Sequence, residues 1–334
     1  MVGERYISII IPNYNGAGTI GKCLESVLSS KYQNIEVIVV DDCSEDNSAD
    51  IIKGFPFRLI QLERHSGASK SRNMGAQNSL GEVLFFIDAD CLLREDTLAL
   101  ANKLFSEGHR IIGGTYTGIP YDNNFFSTFQ SIFINYSETK HKENTDYIAT
   151  HAMIIDKRLF IDSGGFREDF PLPILEDVEF SHRLRRAGHR LVINPEILVQ
   201  HIFNFSLYRS LKNAARKSMY WTIYSIGNRD ILKDSGTASV ELKINVLSYF
   251  FSLLVVFLYL LSGISVFLTI IPFILGVNIY LNRGLIKAFY ETKGLLFTLA
   301  AILYYTMLYP LGVGAGAFAG ILRYFLLSRI RERI

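Results

Sequence analysis

Asp41-Asp42 and Asp88-Ala-Asp90 each directly follow an apolar run, IEVIVV (35–40) and EVLFFI (82–87). In an extended segment, residues two apart point to the same side. Asp88 and Asp90 can therefore share one hard divalent cation whose remaining ligands are water and diphosphate oxygens. Asp42 suits another task. Its carboxylate can accept the ring N–H of a pyrimidine base, with Tyr14 stacking on or walling the base and Pro12 lining the same place. A D-x-D by itself is as compatible with a solvated acidic turn. What makes this one informative is its position at a strand end, on the edge where Asp42 also lies.

PNYNGAGTIG (12–21) adds a formal G-x-G-x-x-G in Gly16, Gly18 and Gly21, about 20 residues before the acidic pair. That spacing matches a dinucleotide loop. However, Pro12-Asn13-Tyr14-Asn15 separates the glycines from the preceding strand, so the tight turn comes late and Gly21 falls inside the next helix. Hydride transfer also leaves the later carboxylates without a role. A dinucleotide oxidoreductase is the poorer reading.

These residues need a scaffold, and the apolar pattern supplies one. ISIII (7–11), IEVIVV, FRLIQL (57–62) and EVLFFI read as strands. They alternate with helices over 19–29, where Ile20, Leu24, Val27 and Leu28 share a face, over 48–53, and in GASKSRNMGAQNS. Continuous apolar strands with helical crossovers predict a mostly parallel, Rossmann-like α/β sheet covered on both faces, with ligands at the carboxyl ends of the strands.

Beyond residue 203 the composition changes. Residues 204–243 hold a segment with Leu207, Leu211, Met219 and Ile223 at helical spacing, beside Arg209, Lys212, Arg216, Lys217 and Trp221. This pattern predicts an amphipathic helix on a membrane surface, with a plain linking helix as the alternative. Residues 244–282 contain no charged side chain, nor do 294–322. As a single helix the first run would be about 58 Å long, nearly twice a bilayer core of roughly 30 Å. Breaks at Ser262-Gly263 or Pro272 therefore predict two spans. The second run, rich in glycine, reads as one tilted span or a broken hairpin. The expected division is a 1–203 α/β domain, a 204–243 interface helix, a 244–327 transmembrane region of two to four spans, and a basic tail at 328–334. Arg283, Lys287 and Lys293 between the runs, with Arg323 and Arg329 after them, favour the cytoplasmic side and place the N-terminal domain there too. The net charge of +2 argues against nucleic acid as a partner. Three scattered cysteines without a C-x-x-C suit a reducing compartment.

Read together, IIIPNYNGAGTIGKCLESVLS, EVIVVDDCSED, GASKSRNMGAQNSLGEVLFFIDADC, SGGFREDF and ILEDVEFSHRLRRAGHRL resemble, in order and spacing, the inverting glycosyltransferases of family 2. The resemblance covers residues 6 to about 203. It implies a GT-A fold, a nucleotide-diphospho-sugar donor with a lean to UDP-sugars, and a Mg2+ or Mn2+ ion. By the same resemblance Pro12 and Tyr14 border the nucleotide, Asp42 contacts the base and Arg72 lies near the nucleotide. Asp88 faces the ribose or metal, Asp90 ligates the metal and His201 lies near metal and diphosphate. Asp177, with Glu176 beside it, matches the catalytic base. Thr150, His151 and Met153 fall where family members form part of the acceptor pocket.

The implied chemistry is attack on the anomeric carbon while a nucleoside diphosphate leaves. A carboxylate on the opposite face removes the acceptor's proton. Helix capping is the plain alternative for Glu176-Asp177, a metal-free strand end for His201, and a structural ion pair for Arg72. The helix after Asp177 would lower its pKa through the dipole and burial would raise it; sequence leaves the balance open. RKSMYW (216–221) lacks the Q-x-x-R-W motif of processive synthases. The expected function is thus transfer of one sugar to a lipid-linked or membrane-proximal glycan acceptor by an integral membrane protein. The alternatives are transfer to polyprenyl phosphate, or a catalytically inactive nucleotide-binding scaffold. The oligomeric state is not legible.

Overall fold

The computed structural model describes residues 3–143, 145–170, 172 and 174–326. The expected basic tail at 328–334 lies outside the described residues. The chain forms two compact units, one of residues up to 122 with 138–170 and 175–204, the other of 123–137 with the chain from 205 onward. Residues 123–137, within the stretch expected to belong to the first domain, therefore group with the C-terminal helices.

In the first unit the order is β1 (Ile7–Asn13), α1 (Ile20–Leu28), β2 (Ile35–Asp41), α2 (Ser48–Lys53), β3 (Arg58–Gln61), α3 (Ala68–Gln77) and β4 (Val83–Phe86). Next come β5 (Cys91–Leu93), α4 (Thr97–Ser106) and β6 (Ile111–Tyr116). After α5 (Phe125–Thr139) follow β7 (Met153–Asp156), α6 (Lys157–Asp162), α7 (Glu176–Arg186) and β8 (Val192–His201).

One sheet runs β3-β2-β1-β4-β7-β6-β8-β5. The parallel expectation holds for β3-β2-β1-β4, whose strands are joined by helical crossovers. The other half is mixed: β7 is antiparallel to both β4 and β6, and β5 is antiparallel to β8. Ile7, Ile9, Ile10 and Ile11 of β1 have no exposed surface, as a strand covered on both faces requires. Gly75 lets α3 close on β1, since a Cβ there would lie 2.5 Å from Ile10 Cγ2. Phe86, Phe160, Phe166 and Phe180 stack at centroid distances of 5.0–5.3 Å. They anchor α6 and α7 over the sheet.

Parallel register brings the ends of β1 and β2 together, Asn13 opposite Asp41. Ile10 pairs with Phe86, so β4 ends on the same side. Met153, the first residue of antiparallel β7, pairs with Phe86 and brings the preceding Thr150–Ala152 turn to that rim. Cys91 pairs with His201 at the end of β8.

The second unit contains α8 (Leu207–Asn228), α9 (Val240–Ser262), α10 (Val266–Leu281), α11 (Arg283–Leu303) and α12 (Tyr309–Leu326). The break expected at Ser262-Gly263 is present, Gly263 capping α9 with φ 69°. Pro272 instead lies inside α10. Gly294 interrupts α11, which continues through a π-helical turn (Tyr304–Leu308) into α12, so the glycine-rich run is helical without a connecting loop. Val240–Ser262 and Arg283–Leu326 are long and apolar enough to cross a membrane.

Gly312, Gly316 and Gly320 sit four apart and let α12 lie directly on α8. Cβ atoms at 312 and 320 would come within 2.9 Å of Leu211 O and 2.6 Å of Met219 O, and one at 316 would overlap Ala215 O. A polar chain crosses the apolar helices. Asn278 Nδ2 donates to Asn245 Oδ1 (2.8 Å), Asn282 Nδ2 to Asn278 Oδ1 (2.8 Å), and the Tyr305 hydroxyl to Asn282 Oδ1 (3.0 Å).

Candidate active site

The glycine loop does not offer itself to a phosphate. Ala17 N donates to Asp46 Oδ2 at 3.0 Å, and Gly21 is the second residue of α1. Its neighbour Asn13 is buried, with Nδ2 donating to Asp41 Oδ1 (2.7 Å) and Ser48 Oγ (3.0 Å), which locks the ends of β1 and β2 together. Of the adjacent acids, Asp41 is thereby structural, whereas Asp42 begins the loop side of the rim.

Asp42 is only 3% exposed. Its Oδ1 accepts from Ser66 N (2.7 Å) and its Oδ2 from Gly67 N (2.7 Å), the latter at φ 92°, a backbone angle that suits glycine. His65 Nδ1 lies 2.9 Å from Asp42 Oδ2, and since a carboxylate only accepts, it is the Nδ1–H that donates. The His65 ring lies against Tyr14, centroids 4.1 Å apart and planes 34° apart. Tyr14 is exposed, and Pro12 is half-buried behind it. His65 thus bridges Tyr14 and Asp42, a histidine that its isolated position in the sequence did not single out.

Arg72 is almost wholly buried on α3. One arm donates to Asp88 Oδ1 (2.8 Å) and the other to Glu176 Oε1 (2.8 Å). The structural ion pair posed as the alternative is therefore present, and it ties the acidic motif after β4 to the start of α7. Burial would raise the Asp88 carboxyl, but the Arg72 guanidinium holds it below its ordinary value.

Asp90 differs. Burial, and then the charge of Asp88, push its pKa up to about 7. Its side chain is nevertheless 42% exposed, so the like charge is the cause that a cation would cancel. Asp90 Oδ2 lies 3.5 Å from His201 Nε2, and Cys91 Sγ lies 3.8 Å from Asp90 Oδ1. Among the described residues, Asp90, Cys91 and His201 each place a donor atom within 4.8 Å of the others. Burial drives the Cys91 thiol well above its ordinary pKa, which leaves carboxylate and imidazole as the ready donors. That oxygen–nitrogen set, with Asp88 two residues from Asp90, fits a hard or borderline divalent cation.

Asp177 is in the first turn of α7 rather than before it. Its Oδ1 accepts from Val178 N (2.8 Å) and its Oδ2 from Thr150 N (3.3 Å). Burial and then Glu176 raise its pKa to about 7, against the lowering effect of Arg72 and the two amides. Burial and the Glu176 charge thus outweigh Arg72 and the two amide hydrogen bonds. Glu179, two residues further along α7, is buried and paired with Arg183 at 3.2 Å.

Thr150, His151 and Met153 are all buried. His151 stacks on Tyr116 (4.0 Å), with Nε2 3.4 Å from Glu138 Oε2. Burial would lower its pKa, but Glu138, with Asp88 and Asp177, raises it above the ordinary value. No pattern in the sequence flagged Glu138. Cys91 had one usable signal, its place directly after Asp88-Ala-Asp90.

Residues 8–163 match the family described as Glycosyl transferase family 2. Glycosyltransferase GlyA of Streptococcus pneumoniae serotype 4 is 30% identical over 197 residues, 51% of this chain and 27% of its own. Glycosyltransferase GlyG of the same organism is 33% identical over 130 residues, 37% of this chain and 43% of its own. The chain thus spans less than half the length of either relative. Among solved structures, mannosyltransferase PcManGT from Pyrobaculum calidifontis, in complex with GDP-Man and Mn2+, aligns over 97% of this chain and 88% of its own with a TM-score of 0.58. At 15% identity that likeness speaks to the fold, which is GT-A-like.

Proposed function

We propose that this chain, which carries a family 2 glycosyltransferase domain over residues 8–163, transfers a sugar with inversion from a nucleotide-diphospho-sugar to a membrane-proximal or lipid-linked acceptor. One arrangement carries the reading: Arg72 bridges Asp88 and Glu176 at 2.8 Å each, and so joins Asp90, which lies 3.5 Å from His201, to Asp177, which the Thr150 amide holds at 3.3 Å. Asp90 is flanked by a potential metal ligand and Asp177 by none of the three clustered donors.

In this reading the base of the donor takes the place between Tyr14, Pro12 and Asp42. A base with a ring N–H, uracil or guanine, suits an acceptor-only carboxylate. Asp90 and His201, with Asp88, would hold Mg2+ or Mn2+. When bound, the cation supplies positive charge for the departing diphosphate.

The acceptor hydroxyl oxygen forms the new bond to the anomeric carbon. The bond from that carbon to the diphosphate oxygen breaks, and its electron pair leaves with the nucleoside diphosphate. The hydroxyl proton passes to Asp177, whose raised pKa makes it a competent base near neutrality. Glu176 keeps that pKa raised, and the Thr150 amide fixes the carboxylate. Arg72 acts on the nucleotide through Asp88 rather than by touching it. Thr150, His151 and Met153 form the floor of the acceptor side.

The apolar helices after residue 243 would anchor the protein, with residues 1–203 as the catalytic domain on the cytoplasmic face and 204–243 as a basic interface segment. Their support is the uninterrupted apolar composition of 244–282 and 294–322 and the basic residues that flank it.

The test uses the full chain in detergent, loaded with Mn2+ and offered a panel of nucleotide-sugars. Release of nucleoside diphosphate is expected with one donor class. It should vanish on metal chelation and return when Mn2+ is restored. Asp90→Asn should lose Mn2+ binding in a calorimetric titration, whereas Asp177→Asn should bind Mn2+ and donor normally and lose turnover by about a hundredfold or more. Full turnover in Asp177→Asn, or unchanged Mn2+ affinity in Asp90→Asn, removes the role given to that residue.

A further inference from the structure

The seat described for the donor's base is already occupied by a side chain. A base bound there must do two things: lay a flat ring on Tyr14 and donate a ring N–H to Asp42. His65 does both, with its ring 4.1 Å from that of Tyr14 and its Nδ1 2.9 Å from Asp42 Oδ2. A base slipped between the two rings would need their centroids about 7 Å apart, two stacking distances, so no base fits between them as they stand. The Asp42 side chain is 4% exposed and already accepts from Ser66 N, Gly67 N and His65. The His65 side chain, by contrast, is 56% exposed, and among the described residues its side chain meets Asp42 and Tyr14. It can leave without breaking the fold.

We propose that His65 is a stand-in for the nucleobase: the donor's base binds by displacing it from Tyr14 and Asp42, so that His65 sets both the affinity for nucleotide and the selection for bases that reproduce its ring N–H. This rests on the placement of the base at Asp42 proposed above. The substitute must offer a ring N–H next to a stacking face. Uracil and guanine do; neutral adenine and cytosine carry only exocyclic amines. A base lacking the ring N–H would displace His65 and leave Asp42 short of a donor, which is the stronger form of discrimination.

The experiment measures UDP, GDP, ADP and CDP binding to the full chain in detergent with saturating Mn2+, for the parent protein and for His65→Ala and His65→Phe. Removing the resident ring abolishes the bond that each binding event has to break. His65→Ala should therefore bind UDP or GDP about tenfold more tightly, roughly the net worth of one hydrogen bond to a charged group. His65→Phe keeps the stack but not the N–H, and should tighten binding less. In the parent, with Mg2+ in place of Mn2+ so that the signals are not broadened, the imidazole Cε1–H resonance of His65 should leave the shielding of the Tyr14 ring as nucleotide is added.

Weaker binding in His65→Ala would make His65 a wall of the seat rather than its occupant, and unchanged binding would remove it from the seat; either overturns the proposal. The underlying placement of the base fails separately, by the parent protein binding all four nucleotides alike. Discrimination among bases with no tightening in His65→Ala would keep the seat and discard the displacement.

Discussion

Replacing Glu176 by Gln should move the acidic limb of the pH–rate profile downward. Asp177, the proposed base, has its pKa raised to about 7 by burial and then by the adjacent charge of Glu176. Successive carboxylates in a helical turn lie about 7 Å apart, and at an effective dielectric of 20–40 their repulsion is about 1–2 kcal/mol, or one pKa unit and a little more. The second consequence of the substitution has the same sign. Arg72 loses one of its two partners, and its charge, which already lowers the Asp177 pKa, is then less compensated there.

A base of pKa 7 is about 9% ionised at pH 6, whereas one of pKa 6 is about 50% ionised, so relative activity at pH 6 should rise about fivefold. The assay is kcat/KM for nucleoside diphosphate release from pH 5 to 8.5 under saturating Mn2+. Saturation matters because Asp90 also has a pKa of about 7, and bound cation keeps it ionised throughout. The parent's limb should then lie near 7 with unit slope, and that of Glu176→Gln near 6. A parent limb near 4, or one near 7 that does not move in Glu176→Gln, would refute the assignment of the titrating group to Asp177.

Arg72→Gln leaves Asp88 and Glu176 as neighbouring carboxylates without their shared cation, and loss of one partner of a buried ionic network costs about 3 kcal/mol or more. The expected outcome is a thermal midpoint lower by about 5 °C or more, together with a donor-release rate that Mn2+ excess does not restore; an unchanged midpoint would show that the network is not structural. Gly316→Val drives a branched side chain into the Ala215 carbonyl of α8, a mismatch worth about 2 kcal/mol or more. Thermal unfolding in detergent should report it, with Gly276→Val, where a Cβ meets nothing within 4 Å, as the neutral control.

The first half of the fold was readable because β1, β2 and β4 are buried on both faces and are therefore apolar at nearly every position. Their ends are punctuated by the polar residues of the rim, which is why Tyr14, Asp42, Asp88 and Asp90 could be named together. The second half was less readable. β5 and β7 have three and four residues, and their antiparallel partners are set by long-range pairing rather than by local pattern. The same holds for the site. Arg72 was visible as a charge on a helix, but its commitment to Asp88 and Glu176 joins positions 16 and 104 residues away. His65 and Glu138 acquire meaning only from what the fold brings beside them, Tyr14 and Asp42 in one case and His151 in the other. In the C-terminal region the absence of charge was plain, while the glycine register of α12 and the asparagine chain depended on which helix each met.

The balance of charge explains why two acids with the same raised pKa have been given different tasks. Asp88, Asp90, Glu176 and Asp177 put four carboxyls within one network, and Arg72 bonds to only two of them. His151, 3.4 Å from Glu138, acts on Asp88 and Asp90 only as a lesser influence behind burial and their nearer charges. Asp88 and Glu176 are thus the neutralised inner pair, and the uncompensated charge falls on the outer two. Two physical remedies exist for such a carboxyl, a bound cation or a bound proton. Asp90 has an imidazole nitrogen at 3.5 Å and an open side, which is what a cation needs. Asp177 has two backbone amides and a half-buried setting, which orient a carboxylate that exchanges a proton. Cation binding should therefore lower the pKa of Asp90 steeply and that of Asp177 little. A 13C-carboxyl titration with and without Mg2+, which unlike Mn2+ does not broaden the signals, should separate two groups that titrate together in the metal-free protein. If both carboxyls move together on adding Mg2+, the division of labour between them is wrong even though the residues are right.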